Sequence, residues 1–228
     1  MAEAAPVHVL IIPDGNRRYA KQRQVSLESV YRHSAEVVVP KLIRFFLLEG
    51  RARLLTIYAV SHDNVAGRDG AEVDPILRSQ VAAYEAWSRS AEYAAAGVRF
   101  RFVGERAALP EYYRTACREL EEETTGRRGP TCTILAAYDC ERELARAAQR
   151  LQTAASGAAG GIRSFLDIAE PVDLVIRTGQ EKRLSGAPPL PCAYAELFFP
   201  TEFFPELDAP QLEAIWAEFG SRNRRFGH

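Results

Sequence analysis

The run Val9-Leu10-Ile11-Ile12, closed by Pro13 and followed by Asp14-Gly15-Asn16-Arg17-Arg18, constrains the fold more than any other stretch. Four consecutive apolar residues suit a buried strand and are too short for a helix. Proline cannot donate to the ladder of a central strand, so Pro13 ends it. A carboxylate, a glycine, an amide and two guanidinium groups then stand where a sheet ends and a helix begins. In open α/β sheets that edge is where ligands bind. A helix N-terminus adds free N–H groups and a positive dipole end, both suited to phosphate. An Asp-Gly turn opening a solvated basic helix satisfies the same strand, turn and charge pattern.

The rest of the chain repeats the alternation of strand and helix. Ser26 is a helix cap for a segment reaching about Glu49, with Gly50 as its stop and Pro40 predicting a kink or break. Leu54–Val60 reads as a second strand ending in a polar loop, Ser61-His62-Asp63-Asn64. Helical periodicity runs from Asp74 to Gly97, with Leu77, Val81, Tyr84 and Ala91 on one face and Trp87 beside it. Strands are expected at Val98–Val103, Thr131–Ala137, Val172–Ile176 and Ala193–Phe199. Helices are expected at Pro110–Thr124, Glu141–Thr153 and Pro210 to about Phe219, with a flexible loop at Ser156–Gly161. Such alternation predicts an α/β fold, a mostly parallel sheet with helices on both faces, and a single domain over residues 1–228.

Composition narrows the function classes. The net charge of −1 argues against broad electrostatic binding to nucleic acid. No apolar run approaches the ~20 residues of a membrane span, and no signal-peptide pattern opens the chain. Four cysteines without C-x-x-C pairing favour reduced thiols and a cytoplasmic setting over disulfides or zinc.

Polar clusters follow three of the strands: D-G-N-R-R, S-H-D-N and R-T-G-Q-E-K-R-L-S. In a parallel sheet these converge on one edge, bringing Asp14, Asp63, Asn64, Arg177, Arg183, Ser185 and Arg18 together. Guanidinium forks and a serine hydroxyl suit a phosphate or diphosphate. One or two carboxylates among them suit magnesium, which binds few protein ligands plus substrate phosphates. A rim of surface ion pairs is the competing reading.

The stretch H-V-L-I-I-P-D-G-N-R-R-Y-A-K resembles the opening motif of the cis-prenyltransferases, typified by undecaprenyl diphosphate synthase. L-T-I-Y-A-V-S-H-D-N, P-V-D-L-V-I-R-T-G-Q-E-K-R-L-S, A-Y-A-E-L-F-F and the terminal R-R-F-G are similar to later motifs of that family, in order and over nearly the whole chain. The resemblance implies a central, mostly parallel sheet flanked by helices with a hydrophobic tunnel between them, and a homodimer. It implies Mg2+ held by Asp14 with Glu196 as second carboxylate, and an allylic prenyl diphosphate among Gly15, Asn16, Arg17 and Arg18. It assigns a second diphosphate, usually isopentenyl diphosphate, to Arg177, Arg183 and Ser185. Asp63 stands where the family has glutamate, and Asn64 matches its catalytic-region asparagine. With Asp14 and Asn16 these two form the expected catalytic set. Ser61 falls in the same motif as a substrate-binding candidate, and Arg225 and Gly227 match a terminal R-x-G that reaches toward the partner's site. Tyr84 and Trp87 are candidates for the tunnel wall or for ordinary core.

Departures from the family pattern bear on the substrate. Leu27 and Tyr31 stand where chain-elongating members carry an arginine and a histidine that grip the allylic diphosphate, which makes Tyr31 a substrate-contacting candidate. Asp139 and Cys140 replace two glycines, and Val60 and Val65 replace aromatics. The S-L-x-x-x-Y pattern resembles cyclolavandulyl and lavandulyl diphosphate synthases, which join short allylic diphosphates irregularly. The expectation is therefore a magnesium-dependent enzyme of short prenyl diphosphates, doing irregular coupling and/or cyclisation. Regular short-chain condensation with isopentenyl diphosphate is the alternative, and a non-catalytic family subunit is a further one. An aspartyl phosphatase is disfavoured because Asn16 stands where a second carboxylate or threonine is needed.

Overall fold

The computed structural model describes residues 7–67, 70–154 and 161–222. Six strands, β1 (His8–Ile12), β2 (Leu54–Ser61), β3 (Arg99–Val103), β4 (Thr131–Tyr138), β5 (Leu174–Arg177) and β6 (Glu196–Phe198), form one sheet. Its order is β3-β4-β2-β1-β5-β6, and every neighbouring pair is parallel. β1 is central and buried along its whole length, which is why it carries no polar alternation. Each of its Val, Leu and Ile side chains contributes about 1.5–3 kcal/mol of apolar burial.

Alternate residues of the strands build two cores. Val9, Ile11, Leu55 and Ile57 pack into the large core shared with the helices on one face. Leu10, Ile12 and Val175 face the other way, onto Val172, Ala187 and Cys192. The helices are α1 (Asn16–Arg23), α2 (Leu27–His33), α3 (Val39–Ile43), α4 (His62–Gly67), α5 (Gly70–Ser88), α6 (Ala91–Ala95), α7 (Glu111–Thr124), α8 (Cys140–Thr153) and α9 (Ala209–Ser221).

Three local expectations need correction. Of the kink or break expected at Pro40, the break does not occur: the helix capped by Ser26 runs through residues 27–48, with π-type turns at Ser34–Val38 and Arg44–Leu48. A proline inside an α-helix clashes with the carbonyl four residues earlier. The wider turn just before Pro40, where the Val39 amide donates to the Ser34 carbonyl, relieves that clash. The periodic stretch from Asp74 to Gly97 is two helices, because the Ser90 side chain accepts from the Tyr93 amide and starts α6 anew. Finally, Ser61-His62-Asp63-Asn64 is not a loop but the start of α4: Ser61 Oγ accepts from the Asn64 amide at 3.1 Å and caps it. The remaining strands and helices fall within three residues of their expected bounds. The loop expected at Ser156–Gly161 lies, but for Gly161, outside the described residues. No helix among the described residues is long and apolar enough to cross a membrane.

Candidate active site

The C-terminal edge of the sheet holds the chemistry. Asp14 leaves β1 and is clamped through its backbone: its amide donates to Thr178 Oγ1 at 3.0 Å, and its carbonyl accepts from Thr178 Oγ1 at 2.9 Å and from the Phe204 amide at 3.0 Å. Gly15 follows with φ +96°, a left-handed conformation, and a Cβ there would run into the Phe203 ring. Only glycine satisfies both demands. The turn delivers the chain into α1, whose first turn has no side-chain cap and no acidic residue. Its leading N–H groups thus stay open to an anion.

The Asp14 carboxylate is surrounded by donors. Oδ1 accepts from the Gly15 amide at 2.6 Å and from Arg18 Nη2 at 3.2 Å, while Oδ2 accepts from Arg177 Nη2 at 2.8 Å. Partial burial pushes the Asp14 carboxyl up, but the Arg177 hydrogen bond, the Gly15 amide and the nearby guanidinium charges outweigh it. The net position is below the usual carboxylate range, so Asp14 is an anion at neutral pH. Arg177 is only 5% exposed. Its Nη1 donates to the Arg183 carbonyl at 2.6 Å and to Ser185 Oγ at 2.8 Å, so one guanidinium ties β1 to the 183–185 loop. Its Nε is buried and has no protein partner among the described residues. Ser185 takes a left-handed φ of 54°, an unfavourable conformation for a serine, which the Arg177 bond helps to hold.

A cavity of about 530 Å3 opens beside this turn. Its mouth carries Asp14, Gly15, Asn16, Arg17, Arg18 and Lys21, and Tyr31 and Asn64 also line it. Its interior is largely apolar, with Ile57, Val60 and Ile134 from the sheet, and carries Ser79 and Gln80 from α5 beside them. The α5 residues Ile76, Ala83, Tyr84 and Trp87 line it at helical spacing. Tyr84 and Trp87 therefore answer both expectations at once: 2% and 5% exposed, they are core residues that also wall the cavity. The Tyr84 hydroxyl lies 2.7 Å from that of Tyr113, which donates to Gln80 Oε1 at 2.6 Å. Burial pushes both phenols far up, so neither ionises.

The expected residues thus divide. Asp14, Gly15, Asn16, Arg17, Arg18, Tyr31 and Asn64 surround one cavity, with Arg177 and Ser185 bonded behind Asp14. Arg183 contributes its carbonyl to Arg177, while its exposed guanidinium pairs with Glu181. Asp63 is not brought in: its side chain is 94% exposed and does not line the cavity. On α4, Asn64 faces the cavity while Asp63, rotated by about 100° around the helix axis, faces solvent. Ser61 also stays off the cavity and serves as the cap that orients Asn64. Glu196 is not brought to Asp14 within the chain. It begins β6, two strands from β1, at the level of Val9 and paired with Arg222 at 2.7 Å. That level lies about 16 Å back along the strand from Asp14. Arg225 and Gly227 lie outside the described residues.

Sequence reasoning missed Ser34, whose hydroxyl donates to Asn16 Oδ1 at 3.0 Å. Its one signal is the i, i+3 spacing from Tyr31 on the same helix. Thr178, Phe203 and Lys21 were missed as well. Among the described residues no three His, Cys, Asp or Glu side chains cluster as a metal site, and Asp14 is the one carboxylate on the cavity lining. This donor set fits a magnesium ion completed by diphosphate oxygens and does not fit an all-protein cage.

The comparisons agree with this architecture. Residues 12–227 match the family model described as "Putative undecaprenyl diphosphate synthase". The chain is 34% identical, over 97% of its own length and 90% of the relative's, to the farnesyl-diphosphate-specific ditrans,polycis-undecaprenyl-diphosphate synthase of Pseudomonas aeruginosa. It is 32% identical to the geranylgeranyl-diphosphate-specific tritrans,polycis-undecaprenyl-diphosphate synthase of Pyrobaculum aerophilum, over 97% of this chain and 96% of that one. Among solved structures it resembles lavandulyl diphosphate synthase from Lavandula x intermedia in complex with dimethylallyl diphosphate. There the TM-score is 0.85 at 26% identity, covering 98% of both chains. A probable undecaprenyl diphosphate synthase from Campylobacter jejuni gives a TM-score of 0.80 at 26% identity over the full length of both. A parallel sheet ending in this Asp-Gly turn, matched along 216 residues by the family model, leads to one assignment: the chain is an enzyme of the cis-prenyltransferase (undecaprenyl diphosphate synthase) family.

Proposed function

We propose that this prenyltransferase is a single-domain, magnesium-dependent enzyme of short allylic prenyl diphosphates that joins them by irregular, lavandulyl-type coupling and/or cyclisation. The observation that carries the reading is the cavity behind Asp14. At about 530 Å3 it matches a pocket for one small ligand, and Tyr84 and Trp87 wall it. Tyr31 lines it where elongating relatives carry a histidine, and the likeness to a lavandulyl diphosphate synthase points the same way.

In this reading the allylic diphosphate sits at the N-terminus of α1, among Gly15, Arg17 and Arg18, with Tyr31 beside it and its prenyl chain in the cavity. Asp14 holds magnesium, which when bound neutralises charge on the departing diphosphate. The open amides of α1 and the guanidinium groups are fixed before reaction, so they stabilise the leaving group without reorganising. Asn16, set by Ser34, and Asn64, set by the Ser61 cap, line the space where the reacting ends meet. Holding a second alkene there supplies the rest as proximity. The apolar wall keeps water from the allylic cation. Arg177, Arg183 and Ser185 hold the second diphosphate. The enzyme acts in the cytoplasm as a homodimer, with β6 an open sheet edge bearing the half-exposed Leu197, and Arg225 and Gly227 reaching a partner's site. Glu196 acts as a metal ligand only in such an assembly.

A regular short-chain condensation with isopentenyl diphosphate is the second reading. The intact Arg177–Ser185 cluster favours it, as do the names of the relatives from P. aeruginosa and P. aerophilum. Incubation with dimethylallyl, geranyl and farnesyl diphosphates, each with and without isopentenyl diphosphate, separates the two. Irregular coupling predicts prenylated products from dimethylallyl diphosphate alone. Products formed only with isopentenyl diphosphate would remove it in favour of condensation.

A further inference from the structure

Among the described residues three cations, Arg17, Arg18 and Lys21, line the cavity mouth, and they are not equivalent. Arg18 is committed: it lies 3.2 Å from Asp14 and 3.5 Å from Glu181, and its guanidinium also sits 5.7 Å from the Phe203 ring centre. Arg17 and Lys21 line the same cavity and have no hydrogen bond or ion pair among the described residues. They are four residues apart on α1 and so share one face of the helix. The one carboxylate on the lining, Asp14, is already compensated by Arg177. Among the described residues, the mouth cations without a carboxylate partner are therefore Arg17 and Lys21. On the facing helix, Leu27 and Tyr31 offer no cation.

We propose that Lys21 is a diphosphate-binding residue that, with Arg17, supplies on α1 the cationic grip that Leu27 and Tyr31 do not. The inference rests on the reading of the α1 turn as a diphosphate site and adds to it the residue that completes its charge. An ammonium on a flexible stem is a point charge with three rotatable donors. It follows a diphosphate that shifts as its ester bond breaks, whereas a guanidinium fork fixes one geometry. Arg23 is the internal contrast: it lies half a turn further along α1, is off the cavity, and is paired with Glu206 at 2.7 Å.

The test titrates inorganic pyrophosphate with magnesium into the full chain carrying Arg183→Ala, which weakens the second site and leaves the α1 turn as the main receptor. Adding Lys21→Met is expected to weaken binding at least about tenfold, the loss of one charge-assisted hydrogen bond. Lys21→Arg should restore affinity to within a few-fold, and Arg23→Met, which removes an equal charge, should leave it unchanged. In turnover, Lys21→Met should raise KM for dimethylallyl diphosphate more than it lowers kcat. Equal pyrophosphate affinity with and without Lys21→Met would overturn the role of Lys21 and leave the α1 site standing. An equal loss from Arg23→Met would overturn it too, by showing a general charge effect. No pyrophosphate binding by the Arg183→Ala chain itself would overturn the α1 site along with it.

Discussion

Asp14→Ala should abolish turnover while leaving a cooperatively folded protein. Among the described residues the carboxylate is the one acidic group on the cavity lining, and it is the group proposed to hold magnesium on the departing diphosphate. Its loss removes several kcal/mol of transition-state stabilisation, so kcat/KM should fall by about a thousandfold or more. Asp14 is a turn residue, so its removal creates no core cavity. It is nevertheless the counter-ion of Arg177, which is nearly fully buried. Losing that charge-assisted bond costs about 1.5–3 kcal/mol, against a total of roughly 5–15 kcal/mol for a typical protein. The melting temperature should therefore drop by a few degrees without loss of the transition. Asp14→Asn, which keeps an acceptor for Arg177, should recover much of that stability and none of the activity. Steady-state kinetics beside thermal denaturation checks both halves. An Asp14→Ala enzyme retaining most of its kcat would remove the metal role assigned to this residue.

Arg177→Ala should be the most damaging single substitution for structure and function together. Taken from the sequence alone, Arg177 is a second-substrate contact whose loss raises one KM. The structure makes it a buried tie between Asp14, the Arg183 carbonyl and Ser185. Its removal leaves Asp14 without its main partner and Ser185 in a left-handed conformation without the side-chain bond that helps to hold it. Breaking a buried pair from one side costs about 3–5 kcal/mol; partial exposure of Asp14 puts the expected loss at the lower end. At about 2–4 °C per kcal/mol for a chain of this size, the melting temperature should fall by about 6–12 °C. KM for the second diphosphate should rise about a hundredfold, and amides of residues 183–186 should exchange faster. If the reaction uses a single substrate, the KM loss falls on its sole diphosphate. Unchanged exchange in that loop and a melting point within two degrees would refute the tie.

Much of this site is legible in the sequence because it is local. The apolar run of β1, the proline that ends it and the Asp-Gly turn specify the proposed diphosphate site within ten residues. The other strands announce themselves in the same way, as short apolar runs between polar clusters. Pairing does not. β1 lies between β2 and a strand about 165 residues further on, and nothing in either run names the other. The bond from Ser34 to Asn16 and the seat of Phe203 on Gly15 are invisible for the same reason. Asp63 misleads differently: read as a loop, S-H-D-N lets both carboxylate and amide reach the site. Ser61 capping α4 imposes a helical rotation that selects Asn64. Pro40 misleads because a proline's effect depends on whether the preceding turn can widen, and here it does.

In the proposed function the Asp14–Arg18 turn seats an allylic diphosphate whose prenyl chain fills the cavity behind it. The most direct measurement is a crystal structure of the protein with magnesium and dimethylallyl thiolodiphosphate, an unreactive analogue. The diphosphate is expected on the first-turn amides of α1, in contact with Arg17 and Lys21. A metal ion held by Asp14 is expected beside it, with the apolar tail pointing toward Tyr84 and Trp87. A diphosphate bound elsewhere with the α1 turn left empty, or a tail lying outside the cavity, would contradict it.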